Sequence, residues 1–136
     1  MAAAIAAFTV ANGFALNIEI KPTPGVEHET GRVVAEHAAR LWAGERIGPL
    51  LSSFRPEALS GARETAPRLR RALLLDSLWP GCFDVAAQLQ CAALVAQHRL
   101  VDAALAERAR AAGWRLLCYT VNERAEAERL RALGVD

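Results

Sequence analysis

The sequence predicts an α/β protein in which short apolar strands alternate with helices along a parallel sheet. Two observations predict this class. Short strand-like segments recur along the chain, and alanine-, arginine- and glutamate-rich segments with helical spacing separate them. Alternating strands and helices imply right-handed crossovers, which set neighbouring strands parallel to one another. With 136 residues, of which 53% are apolar, the chain can fill the core of one domain.

The spacing of the predicted strands narrows the architecture. After a longer first interval, the strands begin about twenty residues apart, close to the repeat of a (β/α)8 TIM barrel. We therefore predict a partial (β/α)8 barrel of about five βα units over residues 1–136. A doubly wound sheet fits the spacing nearly as well, but no GxGxxG motif or P-loop follows any strand. The predicted strands are LNIEI at 16–20, LLSSF at 50–54, ALLLD at 72–76, AALVA at 92–96 and RLLCYTV at 115–121.

The helices are predicted from spacing and from their end signals. The opening alanine-rich segment reads as a helix that ends at Gly13, and helices over 101–112 and 123–133 end before Gly113 and Gly134. Asn122 stands where the last helix needs an N-cap. Residues 29–42 form a further amphipathic helix. Its predicted inward face consists of Val33, Val34, His37, Ala38 and Leu41.

Charge and cysteine content exclude several classes of partner. The formal net charge is +1, which gives no electrostatic reason to expect a nucleic acid or an anionic membrane as partner. No later segment is long and uncharged enough to span a bilayer, and no basic residue precedes Lys21 as a secretion signal would require. Cys82, Cys91 and Cys118 have no CxxC spacing, and we expect small buried thiols. These features predict a soluble, cytoplasmic protein.

The opening strand carries the first candidate site residues. Because side chains alternate along a strand, Leu16, Ile18 and Ile20 share one face. Glu19 and Lys21 share the other face at the carboxyl end, just before a proline ends the ladder. Barrel enzymes place catalytic groups at this end of their strands. The alternatives are a buried ion pair and an edge strand that carries charges for solubility.

The two side chains suit phosphate chemistry. A carboxylate can ligate a hard divalent cation, and a lysine two residues further can hold an anionic oxygen beside it. A cation and an ammonium group around one anion are what the cleavage of a phosphate ester needs.

Four segments together resemble a known family. They are similar to the central and C-terminal parts of bacterial, cytoplasmic-type glycerophosphodiester phosphodiesterases. The resemblance implies a (β/α)8 barrel that hydrolyses glycerophosphodiesters to glycerol 3-phosphate and an alcohol, with Ca²⁺ or Mg²⁺ as cofactor. The segments are LNIEIKPTPGVEHETGRVVA at 16–35, LLSSFRPEAL at 50–59, RALLLDSLWP at 71–80 and LLCYTVNERAEAERLRALGVD at 116–136.

The resemblance also implies roles for individual residues. Glu19 matches the metal-ligating glutamate of the family, and Lys21 matches the lysine that contacts the phosphate and stabilises charge during cleavage. Tyr119 matches an aromatic position near the glycerol end of the site. His98 follows a predicted strand, so a substrate-lining role on the catalytic rim is a further prediction. His28 and His37 are expected to be solvated or packed rather than catalytic.

Other parts of the family pattern do not occur in this sequence. There is no His-Arg-Gly motif and no E-x-D pair upstream of Glu19, and the one His-Arg pair, His98-Arg99, precedes a leucine. The segments resemble strands three to seven of the barrel, and an eighth strand would follow Asp136. We therefore expect a fragment with little or no activity alone. The alternatives are a half-barrel that acts as an interaction or structural module, closing its sheet edges with a second chain or a second copy, and another phosphate-handling barrel enzyme.

Overall fold

A computed structural model describes residues 1–136 and contains six α-helices and five strands. The strand order in the sheet follows the sequence, β1-β2-β3-β4-β5. The chain divides into two compact units, Met1–Arg71 and Ala72–Asp136. None of the helices has both the length and the hydrophobicity that a bilayer crossing requires.

The first unit contains two complete strands and three helices. β1 and β2 run parallel, with Ile18 opposite Leu51 and Glu19 opposite Ser52. Both predicted strands are confirmed, although each is shorter than its apolar segment. The glycine stop predicted for the first helix is also confirmed, because Gly13 follows it with a φ of 66°. The elements are α1 (Ala2–Ala11), β1 (Asn17–Glu19), α2 (Glu27–Leu41), β2 (Leu50–Ser53), α3 (Pro56–Thr65) and the start of β3 (Arg70–Leu75).

The core of this unit lies between β1, β2 and the two helices α2 and α3. The predicted alternation along the first strand is confirmed, because Ile20 is buried and Ile18 packs beside it, whereas Glu19 and Lys21 are exposed. The backbones of α2 and α3 approach closely. A Cβ atom on Gly31 would lie 1.8 Å from the carbonyl oxygen of Ala58, so this crossing accepts only glycine.

The predicted inward face of α2 is only partly correct. The residues of α2 that are buried are Gly31, Ala35 and Ala38. Val33 is 43% exposed, so its predicted burial is wrong, and His37, which is predicted on the same inward face but is not expected to be fully buried, is exposed. The reason is the close contact with α3, which favours the smallest side chains over the β-branched ones.

The second unit contains three parallel strands. Leu73 of β3 pairs with Leu94 of β4, which pairs with Leu116 of β5, and all three leucines are buried. Near-continuous burial of this kind is typical of parallel strands covered on both faces. The elements are the rest of β3, α4 (Cys82–Gln88), β4 (Ala93–Gln97), a 3₁₀ turn (His98–Leu100), α5 (Ala103–Ala111), β5 (Arg115–Tyr119) and α6 (Arg124–Ala132).

The predicted helix ends in this unit have mixed outcomes. Gly113 and Gly134 follow α5 and α6 in the left-handed conformation, as predicted. The N-cap prediction for Asn122 is wrong, because the cap residue of α6 is Glu123 and no side chain caps the helix. Asn122 lies one residue too early to reach the free amides of the first turn. Helix α5 does have a side-chain N-cap: the carboxylate of Asp102 accepts a hydrogen bond from the amide of Leu105 at 2.8 Å.

None of the three cysteines forms a disulfide, and the predicted burial is confirmed for two of them. Cys82 and Cys91 are buried and Cys118 is half-buried. Burial raises the pKa of the Cys82 thiol and of the Cys118 thiol, so both stay protonated and unreactive at neutral pH.

Candidate active site

Glu19 and Lys21 lie together at the carboxyl end of β1. Glu19 is the last residue of the strand, and the amide of Ile20 then donates to the carbonyl oxygen of Ser52 at 2.7 Å. This bond keeps the backbone extended for one more residue, so the side chains on either side of Ile20 point the same way. The Lys21 Nζ atom lies 3.7 Å from Oε2 of Glu19.

The pair is open to solvent. The side chain of Lys21 is 77% exposed and that of Glu19 is 35% exposed, so the alternative of a buried ion pair is wrong. Ion pairs at this exposure contribute about 0–1 kcal/mol to stability. The fold therefore does not depend on the pair, and both groups are accessible to a ligand.

Two buried serines support the backbone at this point. The Ser53 hydroxyl donates to the carbonyl oxygen of Ile20 at 2.8 Å and accepts from the amide of Arg55 at 3.1 Å. The Ser52 hydroxyl donates to Oδ1 of Asn17 at 2.8 Å. Both hydroxyls are engaged in structural bonds and have no histidine partner, so neither is a nucleophile.

Of the two side chains in the pair, Glu19 is the one that could bind a cation. A hard divalent cation takes about six to eight oxygen ligands. The structure holds no group of three or more histidine, cysteine, aspartate or glutamate side chains that could hold a metal ion. The residues present therefore do not form a complete cation site, since the Glu19 carboxylate supplies at most two of the oxygen ligands.

In the second unit, His98 is held by a residue of α6. His98 is the first residue after β4, and its Nδ1 atom lies 2.7 Å from Oε1 of Glu126. The side chains are 21% and 23% exposed. Arg129 donates to both carboxylate oxygens of Glu126, through Nη2 at 2.7 Å and Nε at 2.8 Å. These hydrogen bonds, first from Arg129 and then from His98, lower the pKa of Glu126 to about 2.

Arg129 also fixes the backbone around His98. Its Nη1 atom donates to the carbonyl oxygen of Val101 at 2.8 Å, and Nη2 donates to that of His98 at 3.2 Å. His98 is thus held through its ring and through its main chain. Sequence reasoning missed Glu126 and Arg129, although a glutamate and an arginine three residues apart on a predicted helix were a usable signal.

Tyr119 ends β5, and its hydroxyl already has an acceptor. The Oη atom donates to the carbonyl oxygen of Leu75 at 3.1 Å, and the side chain is half-buried. The hydroxyl proton of Tyr119 is therefore used within the protein.

The remaining histidines lie apart from these groups. His28, in the first turn of α2, has Nε2 3.0 Å from Oε2 of Glu64, and both side chains are exposed. This contact lowers the pKa of Glu64. His37 contacts Arg40 on the same helix.

The structure therefore brings Glu19 together with Lys21 in the first unit. In the second unit, His98 and Tyr119 each stand at the carboxyl end of their own strand. This is the end at which parallel α/β folds bind their ligands.

Comparison with known sequences identifies the family of this chain. The sequence model of the Glycerophosphoryl diester phosphodiesterase family matches residues 1–136. This chain belongs to that family. The resemblance seen in the four sequence segments is thereby confirmed. No curated protein matches the chain significantly.

Solved structures confirm the fold of this family member. A phosphodiesterase from Oleispira antarctica, solved with the product sn-glycerol-3-phosphate, is 26% identical, with a TM-score of 0.79 over 93% of this chain. A Silicibacter pomeroyi protein is 22% identical, with a TM-score of 0.81 over 99%. A glycerophosphodiester phosphodiesterase from Parabacteroides distasonis is 17% identical, with a TM-score of 0.71 over 90%. The predicted partial TIM barrel is confirmed.

The chain is shorter than these solved relatives. It covers 51% of the Oleispira chain and 50% of each of the other two. It thus spans about half the length of the family members it matches.

Proposed function

We propose that the chain is the phosphate-holding part of an enzyme that hydrolyses glycerophosphodiesters to glycerol 3-phosphate and an alcohol. The observation that carries this proposal is the exposed Glu19–Lys21 pair at the carboxyl end of β1. Membership of a phosphodiesterase family and the product bound to the Oleispira relative support it.

Lys21 is suited to bind the phosphoryl oxygens. It is the only lysine in the sequence, and its side chain is 77% exposed, so its ammonium group is accessible to an arriving anion. Negative charge gathers on the phosphoryl oxygens as the P–O bond breaks, and a fixed ammonium group stabilises that charge.

We propose Glu19 as one oxygen ligand of a divalent cation, Ca²⁺ or Mg²⁺. Such a cation would neutralise phosphoryl charge when bound. Because the other side chains needed for a full coordination shell are not among the residues of this chain, we expect the chain alone to have little or no turnover.

We also propose substrate-lining roles for His98 and Tyr119. Glu126 holds Nδ1 of His98, which leaves Nε2 as the free ring nitrogen. Tyr119 is the last residue of β5 and His98 is the first residue after β4, so both stand at the carboxyl ends of their strands. A cytoplasmic location remains our proposal, and the three free cysteines support it because disulfides are rare in that compartment.

A second candidate function is self-association of the half-barrel as an interaction module. β1 is the first strand in the sheet order, and an apolar groove of about 470 Å³ lies beside it. The one polar side chain in the groove is His37, and a second copy paired along the edge of β1 would cover this surface. The groove is lined by Ala2, Ile5, Leu16, Ile18, Val33, Val34, His37, Ala38, Leu41 and Trp42.

The single lysine permits a direct test of phosphate binding. Reductive methylation with ¹³C-formaldehyde labels Lys21 and the amino terminus and keeps their charge, so two methyl environments report in an NMR spectrum. We expect glycerol 3-phosphate to shift the Lys21 signal, while glycerol does not. The signal of the amino terminus is the internal control.

One result would contradict the phosphate-holding role of Lys21, and another would contradict the expected inactivity of the chain alone. A Lys21 signal that does not respond to glycerol 3-phosphate contradicts the phosphate-holding role. Robust turnover of glycerophosphocholine with Ca²⁺ or Mg²⁺ that disappears in Glu19→Ala contradicts the claim that this chain needs further residues for activity.

A further inference from the structure

A cleft of about 970 Å³ lies in the first unit, at the amino ends of β2 and β3. Its walls are the connection from α2 to β2, residues 42–49, and the connection from α3 to β3, residues 65–70. We infer that this cleft binds an organic phosphate, meaning a small anion with phosphate groups attached to an apolar or planar body.

The rim of the cleft is basic. Arg46 comes from one connection, and Arg68 and Arg70 come from the other, while Glu45 is the single acidic residue of the lining. All three arginines are exposed, and the ion pairs of the chain involve other residues. Three guanidinium groups without an ion pair thus line one cleft from two separate segments, and guanidinium groups bind phosphate through paired N–H donors.

One wall of the cleft is fixed from inside the protein. Arg71 is buried, and its Nη1 atom donates to the carbonyl oxygens of Pro67 at 3.2 Å and Leu69 at 2.6 Å. The amide of Leu69 closes a turn onto the carbonyl of Ala66 at 3.0 Å. The segment that presents Arg68 is therefore ordered before any ligand arrives, which lowers the entropic cost of binding.

The floor of the cleft is apolar. Trp42, Pro49 and Ala66 are buried in the lining, and the apolar surface that a ligand can reach comes from Ile47, which is 37% exposed, and from the half-buried Leu69. Apolar surface with a few convergent charged groups is the usual composition of a small-molecule site. An inorganic anion would use only the rim, whereas an organic phosphate uses the rim and the floor.

This cleft is separate from the Glu19–Lys21 pair. The pair follows the carboxyl end of β1, whereas the cleft borders Pro49, immediately before β2 begins. The inference therefore does not rest on the proposed hydrolytic function.

Calorimetric titration of the full chain with pyrophosphate and with ADP tests the inference. We expect both probes to bind, ADP more tightly because its base reaches the floor. The double variant Arg68→Gln and Arg70→Gln should lower the affinity for ADP at least about tenfold, because hydrogen bonds from charged donors contribute more to binding than neutral ones do. Lysine at both positions should restore part of the affinity, because it keeps charge without the paired donors.

Matched control variants distinguish a specific binding site from a general effect of positive charge. Arg124→Gln with Arg131→Gln removes the same charge from exposed positions of α6 and should leave ADP affinity unchanged. In Trp79→Phe with Trp114→Phe, Trp42 remains the only tryptophan and its fluorescence should change with ADP. Equal weakening by both arginine double variants, no binding of either probe, or ADP binding no tighter than pyrophosphate overturns the inference.

Discussion

The Nδ1 atom of His98 lies 2.7 Å from Oε1 of Glu126, which ties the residue after β4 to helix α6. Arg129 completes the arrangement by binding both the carboxylate and the backbone carbonyl of His98. Glu126 is thus the shared acceptor of a histidine and an arginine. Its removal would leave both donors without their main partner.

We predict that Glu126→Gln lowers the stability of the chain and loosens the segment that follows β4. An amide cannot accept from two donors with the strength of a carboxylate. The urea midpoint and amide exchange of residues 98–101 measure the effect. Glu128→Gln is the matched control, because Glu128 pairs only with the exposed Arg124 on the same helix. Equal midpoints for the two variants would contradict the prediction.

The pKa of Glu126 predicts how stability depends on pH. Its folded-state value of about 2 lies below the ordinary 4.5, so the native state favours the ionised form. The resulting stabilisation is present above about pH 4.5 and is lost as the pH falls towards about 2. Arg115 lowers the pKa of Asp136 in the same direction.

Urea midpoints between neutral pH and pH 2 test this dependence. We expect the wild-type midpoint to fall through the acid range, and the fall to be shallower in Glu126→Gln because one of the linked protons is removed. Parallel curves for the two proteins would show that Glu126 does not contribute to acid unfolding.

We predict that the Glu19–Lys21 pair contributes to ligand binding and little to folding. Glu19→Gln and Lys21→Met should each change the free energy of unfolding by less than about 0.5 kcal/mol, as exposed substitutions generally do. Ile20→Ala, between them, should cost about 2–4 kcal/mol because that side chain is buried in the core. Denaturant titration of the three variants measures the contrast, and a large loss in either charge variant would contradict it.

The close crossing of α2 and α3 predicts that Gly31→Ala and Gly61→Ala are strongly destabilising. An added Cβ would lie 1.8 Å from the carbonyl oxygen of Ala58 or 2.1 Å from that of His28, so the helices must move apart. Overpacking of this kind costs about 1–3 kcal/mol or more. Gly48→Ala is the control, since its Cβ would meet only the Leu69 side chain at 3.5 Å. Equal melting temperatures for all three variants would contradict the close approach of α2 and α3.

Self-association through the groove beside β1 has its own test. Sedimentation should show a concentration-dependent dimer, because a second copy would cover the apolar surface. Val33→Glu places a charge in the groove and should shift the protein to monomer. Val26→Glu, at an exposed valine outside the groove, should not. A monomer at every concentration would rule out this second function.

Much of the fold follows from local patterns in the sequence. The strand segments and the glycine stops at positions 13, 113 and 134 are set by side-chain alternation and by the left-handed conformation that glycine tolerates. The same alternation placed Glu19 and Lys21 on one exposed face, and the roles proposed for them come from the resemblance of the surrounding segment to a phosphodiesterase family.

Other features depend on contacts between segments that are distant in sequence. The buried face of α2 is decided by the small residues that α3 requires, which is why Val33 and His37 are exposed although their spacing suggested burial. The partners of His98 lie 28 and 31 residues further along the chain.

The sequence by itself determined the strand–helix repeat, the family and the Glu19–Lys21 pair, because each is encoded within a few neighbouring residues. Only the tertiary structure decided which carboxylates contact His28 and His98 and which arginines line one cleft. Those relationships arise when parallel strands bring separate connections to the same end of the sheet.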